Sequence, residues 1–155
     1  MMRRMARNPV SVTLREVGAD NWRDCAGLEV TEAQREFVSP VTRYLALCAY
    51  GGSPWRPLAV EAAGRTVGFV MWGVDPADES YWIGGFVVDR AEQLKGYGRA
   101  IVVELIRRAR AGGHPSVALS YLPTNEVARA LYGSLGFVET GEIEDDEVVA
   151  RRRLG

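Results

Sequence analysis

The chain is poor in the side chains that bind metals or cross-link a fold. Its 155 residues include two cysteines, one histidine and one lysine. Cys25 and Cys48 form no C-x-x-C pair, and with His114 alone they do not make up a zinc set. Two such thiols in helical-looking segments are expected to be buried and reduced, which fits a cytoplasmic protein. No apolar run approaches the roughly 20 residues needed to cross a bilayer. The first eight residues, MMRRMARN, are basic but lack the apolar stretch of a signal peptide. Excess charge is missing too: 19 Lys and Arg face 20 Asp and Glu, for a net charge of -1. No overall field draws the chain to nucleic acid or to an anionic membrane, and neither is expected as a partner.

With 47% hydrophobic and 25% charged residues, the composition is that of an average globular protein, which argues against disorder and coiled coils. A chain of this length buries roughly 70% of its unfolded surface, so its core needs neither disulfide nor metal. The expected organisation is a flexible basic tail over residues 1–10 and one domain over 11–155.

From Ser11 to Val17 the pattern S-V-T-L-R-E-V alternates as a half-buried strand does. Asp20 is placed to cap a helix carrying Trp22, Cys25, Leu28 and Val30. Thr31 and Gln34 make a capping-box pattern for a second short helix, and Pro40 suits the first turn of a third, Val41 to Tyr50. Leu58 to Ala63 and Thr66 to Val74 read as strands joined across Gly64-Arg65. Ser80 to Val88 is an almost wholly apolar strand, as expected when both faces are covered. Residues 97 to 112 carry Ile101, Val102, Leu105, Ile106 and Ala109 on one helical stripe, stopped by Gly112 and Gly113. A strand from Val117 to Leu122, a helix capped by Thr124 or Asn125 and running to Leu135, and a hairpin around Asp145-Asp146 complete the chain. This order predicts one α/β domain with a mixed sheet.

The chemistry concentrates between an apolar strand and an amphipathic helix, in Val87-Val88-Asp89-Arg90-Ala91-Glu92-Gln93-Leu94-Lys95-Gly96-Tyr97-Gly98-Arg99. Glycines at such a junction let successive backbone N–H groups face outward, and the helix start adds roughly half a positive charge. Together they suit a phosphate or pyrophosphate. The G-x-x-x-x-G-K-[ST] loop is absent, and the third small residue of a dinucleotide fingerprint is replaced by Ile101. On these residues alone the loop can equally be a tight turn that binds nothing.

Gln93-Leu94-Lys95-Gly96-Tyr97-Gly98 matches the pattern Q/R-x-x-G-x-G/A, and Asn125 to Phe137 matches N-x-x-A-x-x-L-Y-x-x-x-G-F. In this order and spacing the two motifs resemble the GNAT superfamily of acetyl-CoA-dependent N-acetyltransferases, over Ser11 to Leu154. Thr140-Gly141-Glu142 and the V-G-F-V-M strand are also similar to small bacterial polyamine or diamine acetyltransferases. The resemblance implies a mostly antiparallel twisted sheet of about six or seven strands flanked by about four helices. It implies acetyl-CoA as cosubstrate, no metal and a small-molecule amine acceptor, and it leaves a homodimer open. Carried over, the amides of Gln93, Leu94, Lys95, Gly96, Tyr97, Gly98 and Arg99 hold the coenzyme pyrophosphate, with Lys95 and Arg99 adding charge or staying solvated. Backbone groups of Phe86, Val87 and Val88 pair with the pantetheine arm, and an N–H near Phe86 or Val87 polarises the thioester carbonyl. Asn125 caps its helix and bonds the same arm. Tyr132 falls where the family places its general acid.

One expected element is missing. The acid that many relatives carry on the strand before the loop falls here on Trp82, Gly84 or Gly85. Deprotonation then passes through water held by Tyr81, Asp89 or backbone carbonyls, or the amine arrives neutral. The glycine pair marks either a strand irregularity or room for the acceptor. Acceptor recognition is expected from Asp20 to Trp55, where Glu29, Glu32, Glu36, Tyr44, Tyr50 and Trp55 either suit a cation or form the solvated face and core of amphipathic helices. Competing readings are a non-catalytic acyl-CoA-binding or regulatory protein, and an acetyltransferase acting on a protein N-terminus or lysine.

Overall fold

A computed structural model describes residues 10–155. The tail expected over residues 1–10 lies, Val10 apart, outside the described residues. Strands form where β-branched and aromatic residues alternate or run together: β1 Thr13–Glu16, β2 Arg56–Ala62, β3 Arg65–Val74, β4 Tyr81–Val88, β5 Ser116–Tyr121, β6 Val138–Glu144 and β7 Glu147–Arg153. The helices are α1 Trp22–Ala26, α2 Val41–Tyr50, α3 Tyr97–Ala111 and α4 Glu126–Ser134. The strands make one sheet in the order β1-β2-β3-β4-β5-β7-β6. Every pairing is antiparallel except β4 with β5. The α/β class, the mostly antiparallel sheet and the four helices are those expected.

Two apolar layers cover the sheet. On one face α3 buries Ile101, Val102, Leu105, Ile106 and Ala109, each no more than 3% exposed, against Leu58, Val60, Val67, Ile83 and Val117. Each of these Ile, Val and Leu side chains contributes about 1.5–3 kcal/mol. On the other face Cys25 and Val41, from α1 and α2, cover Ala59, Phe69, Met71 and Val87. Burial pushes the Cys25 thiol up to about 11 and raises that of half-buried Cys48.

Local geometry departs from expectation in three places. The Asp20-led helix shortens to α1, which Asn21 precedes, and Leu28 and Val30 pack on the second core from loop rather than helix. Asn21 ties that turn down, accepting from Gly18 N at 2.8 Å and donating to Glu16 O at 3.0 Å. The Thr31 segment forms a single 3₁₀ turn, Glu32–Gln34. The β2–β3 hairpin turns on Ala63-Gly64, both at positive φ, rather than on Gly64-Arg65. The last hairpin turns on Asp145-Asp146, both at positive φ, as expected.

Candidate active site

The centre of the sheet is incomplete. β4 and β5 pair only at Tyr81–Val117 and Trp82–Ala118, and beyond that rung the two strands part. From Ile83 to Val88 the β5-facing edge of β4 has no strand beside it, although it lies mid-sheet. The register against β3 also slips between Phe69 and Met71, opposite Gly85 at φ +56°, so the glycine pair is a β-bulge. The room it leaves is filled. A Cβ on Gly84 would lie 2.9 Å from the Trp55 ring, and one on Gly85 3.0 to 3.1 Å from Met71 and Tyr44.

After β4 the chain is pinned and then turned. Asp89 accepts from Ala91 N and Glu29 N. Buried Glu92 takes a bidentate pair from Arg65 at 2.7 and 2.8 Å and a third bond from Lys95 at 3.0 Å. The Arg65 bonds, then the Lys95 bond, pull the Glu92 carboxyl down to about 2. Leu94 at φ +63° and Gly96 at φ +89° swing the backbone outward into α3. As a result, the seven consecutive N–H groups of Gln93 to Arg99 have no acceptor among the described residues. Such a nest at a helix start is an anion cradle. Gly96 is required by its backbone. Gly98 is not: a Cβ there would meet Leu131 and Phe86 at an ordinary 3.7 Å, so its bareness opens space above the amides.

A cleft of about 1140 Å³ runs from this cradle along the free edge of β4 to the β6–β7 hairpin. It brings together Phe86, Val87 and Val88 with Gln93, Leu94, Gly96, Tyr97 and Gly98, and with Asn125 and Tyr132. Asn125 caps α4, its Oδ1 accepting from Ala128 N at 3.2 Å. Tyr132 is 7% exposed, stacks on Tyr121 at 5.8 Å and meets Phe137 edge-on at 5.7 Å. Its hydroxyl makes no hydrogen bond to a described residue and is not sealed in the core, so it opens to the cleft. Burial first, then the fields of Tyr121 and Glu147, push this phenol well above the ordinary tyrosine range.

This architecture, with both motifs at its centre, decides the family: the acetyltransferase (GNAT) family model matches residues 21–137. The chain belongs to that family. It is therefore an acetyl-CoA-dependent N-acyltransferase. A probable spermine N(1)-acetyltransferase of Bacillus subtilis subsp. natto is 28% identical over 145 residues, 87% of this chain and 93% of its own. Among solved structures, a domain from Methanocaldococcus jannaschii superposes with a TM-score of 0.74 at 15% identity, over 94% of this chain and 99% of its own. The Vibrio cholerae spermidine N-acetyltransferase in complex with CoA and spermine gives 0.71 at 19% identity, over 91% and 93%.

Several side chains of this acetyltransferase stand elsewhere than expected. Lys95 is held by Glu92, Arg99 donates to Ser134 Oγ at 3.1 Å, and neither side lines the cleft. Gln93 pairs its amide with that of Gln34 and donates to Val88 O. Glu29, Glu32 and Glu36 are exposed outside the cleft, Glu29 beside Arg90. Tyr50 is exposed too, whereas Tyr44 and Trp55 do form the wall. Tyr81 is buried against Trp72 and His114, away from the cleft, so of the two side chains expected to hold water it is out of reach and Asp89 is occupied by N–H groups. The acids that line the far end of the cleft come from the last hairpin, Glu142, Glu144, Asp145 and Glu147, together with Asp75. Their signal in the sequence is the acid density of E-I-E-D-D-E, which reads equally as a solvated turn. Among the described residues no group of three or more His, Cys, Asp or Glu is arranged to hold a metal.

Proposed function

We propose that this acetyltransferase transfers acetyl from acetyl-CoA to a small primary amine by direct attack in a ternary complex, with residues 11–155 acting as one domain. The observation that carries it is the cradle of seven N–H groups, without acceptors among the described residues, opening onto a free strand edge that leads to a tyrosine hydroxyl with no partner among them either. The cradle amides suit the coenzyme pyrophosphate. The backbone of Phe86, Val87 and Val88 suits an extended amide-bearing arm, added as a strand. Asn125, its Oδ1 on the helix, keeps its amide donor for the same arm. An N–H near Phe86 or Val87 meets the thioester carbonyl oxygen as it gains charge. Tyr132, kept neutral by burial, donates its proton to the departing sulfur; such an acid is typically worth roughly 10²–10⁴ in rate.

The acceptor enters from the hairpin end, between Trp55, Trp82 and the acids of β6 and β7. Negative charge and aromatic faces there suit a cationic amine, and the relatives named for spermine and spermidine support that class. Glu144 and Asp145 are exposed, and exposed ion pairs are worth only about 0.2–1 kcal/mol each. Binding of spermidine is therefore weak, millimolar in order, and sensitive to salt. Thiol release from acetyl-CoA across a panel of amines tests the reading: turnover with a primary amine is expected, and silence across the panel would refute it. A spermidine KM unmoved by salt would refute the rim-charge account of the acceptor.

A further inference from the structure

Accepting the transfer reading above, one role remains unfilled, because β4 supplies no base where its acid is expected. We infer that Glu147, the first residue of β7, is the proton acceptor for the attacking amine. Six carboxylates line the cleft, and five have other engagements or stand in open solvent. Glu92 lies under the cradle, bound by Arg65 and Lys95. Glu142 is paired with Arg151 at 3.0 Å. Asp75 accepts from Ala77 N in its own turn. Glu144 and Asp145 are exposed at the hairpin tip. Glu147 is half-buried and has no cation partner among the described residues, so its charge is not neutralised in place. One of its oxygens accepts from Ser120 Oγ at 3.0 Å, which orients the carboxylate and leaves the other free. Ser120 lines the cleft as well, next in sequence to Tyr121, on which the Tyr132 ring is stacked.

The topology explains the placement. β7 inserts between β5 and β6, so its first residue comes up beside the end of β5 where that strand has parted from β4. The two proton-handling groups then approach from different elements, Tyr132 from α4 and Glu147 from β7. Around Glu147 the charged and titratable groups are Glu144, its register partner on β6, Asp145 and Asp146 in the adjoining turn, Tyr121 at the end of β5 and Tyr132 on α4, with the Glu142–Arg151 pair further along the hairpin.

The step balances as follows. The ammonium gives one proton to the Glu147 carboxylate, and the freed lone pair attacks the acetyl carbonyl carbon. As the C–S bond breaks, sulfur takes the Tyr132 proton, and the surplus N–H proton of the adduct returns to the tyrosinate. Glu147 sheds its proton to solvent, so ammonium and thioester become amide, thiol and one released proton.

The test is steady-state thiol release between pH 6 and 9 with spermidine and a monoamine, for wild type, Glu147→Gln and Glu147→Asp. Wild type, using the ammonium directly, is expected to show a nearly flat kcat/KM. Glu147→Gln depends on pre-formed neutral amine, so its kcat/KM falls by about 10² at pH 7 and rises about tenfold per pH unit towards the pKa of the amine. Its acetyl-CoA KM and melting temperature stay unchanged, and Glu147→Asp restores the flat profile. Wild-type turnover with an unaltered rate and profile in Glu147→Gln would overturn the role of Glu147 alone. Absence of wild-type turnover would overturn the transfer reading and this role with it.

Discussion

Replacing Tyr132 with phenylalanine separates packing from chemistry. The ring fills a site between Tyr121 and Phe137, and truncating it to alanine would cost about 3–5 kcal/mol through lost burial and the cavity left behind. Phenylalanine keeps that ring. The deleted hydroxyl has no partner among the described residues, so its removal orphans none of their groups. Stability should change by less than about 0.5 kcal/mol, which at about 2–4 °C per kcal/mol is a Tm shift of about 2 °C or less. Acetyl-CoA affinity should hold, because the cradle is untouched. The rate should not: losing the proton donor to the sulfur lowers kcat by about ten- to a thousandfold, or about 1.4–4.1 kcal/mol of barrier. Because burial raises the phenol, it stays protonated through any ordinary assay range and contributes no alkaline loss of activity. The assay is thiol release at saturating acetyl-CoA beside a thermal melt of the same preparation. A kcat within twofold of wild type, with a lowered Tm, would show that Tyr132 is only core.

At Gly98 a Cβ makes only ordinary contacts, and the branched side chain of Gly98→Val is expected to fill the space above the cradle. Wild type at a hundredfold excess of acetyl-CoA over Kd should gain roughly 2.7 kcal/mol, and the variant nothing; undiminished calorimetric binding would refute the cradle. Glu92 titrates at about 2 when folded, against about 4.3 unfolded, so its contribution is complete above the unfolded value and is lost as pH falls towards the folded one. Urea midpoints of wild type and Glu92→Gln should therefore differ at pH 7 and draw together as pH falls towards and through 2, and a gap at pH 2 as wide as at pH 7 would contradict the ion-pair account. Gly84→Ala drives a methyl to within 2.9 Å of Trp55 and should raise the amine KM while leaving the acetyl-CoA KM unchanged; an unchanged amine KM would remove Trp55 from the acceptor wall.

The parts of the site legible in the sequence are those a short stretch of chain dictates by itself. The glycine spacing from Gln93 to Gly98, the Asn125 cap and the Asp145-Asp146 turn depend on neighbours within a few residues, and the structure has each of these local geometries. The glycine pair in β4 was legible as a break, but Trp55, which fills it, lies 29 positions away and carries no local sign of doing so. Lys95 and Arg99 sit beside the cradle in sequence, yet a carboxylate buried at Glu92 recruits Lys95 and Ser134 holds Arg99. Glu29, Glu32 and Glu36 are offered to a cation by residue type alone; only Glu32 enters the single 3₁₀ turn, and all three face solvent outside the cleft. Glu147 was invisible because its position depends on β7 entering the sheet between β5 and β6, a tertiary choice that strand order along the chain does not contain.

The free edge of β4 and the cradle that follows it are built from main chain. A side-chain substitution leaves every such N–H and C=O in place; only a change that bends the backbone, blocks it or substitutes proline removes one. Coenzyme recognition of the kind proposed above would be nearly silent at the level of residue identity, because it depends on the shape of the fold, and that fold is shared by structures only 15 to 19% identical to this chain. The acceptor end is written in side chains, Trp55, Trp82 and the hairpin acids, where a single codon rewrites a contact. In the transfer reading proposed above, the two halves of one cleft thus differ in how a substitution reaches them: the donor side is built from main chain and the acceptor side from side chains.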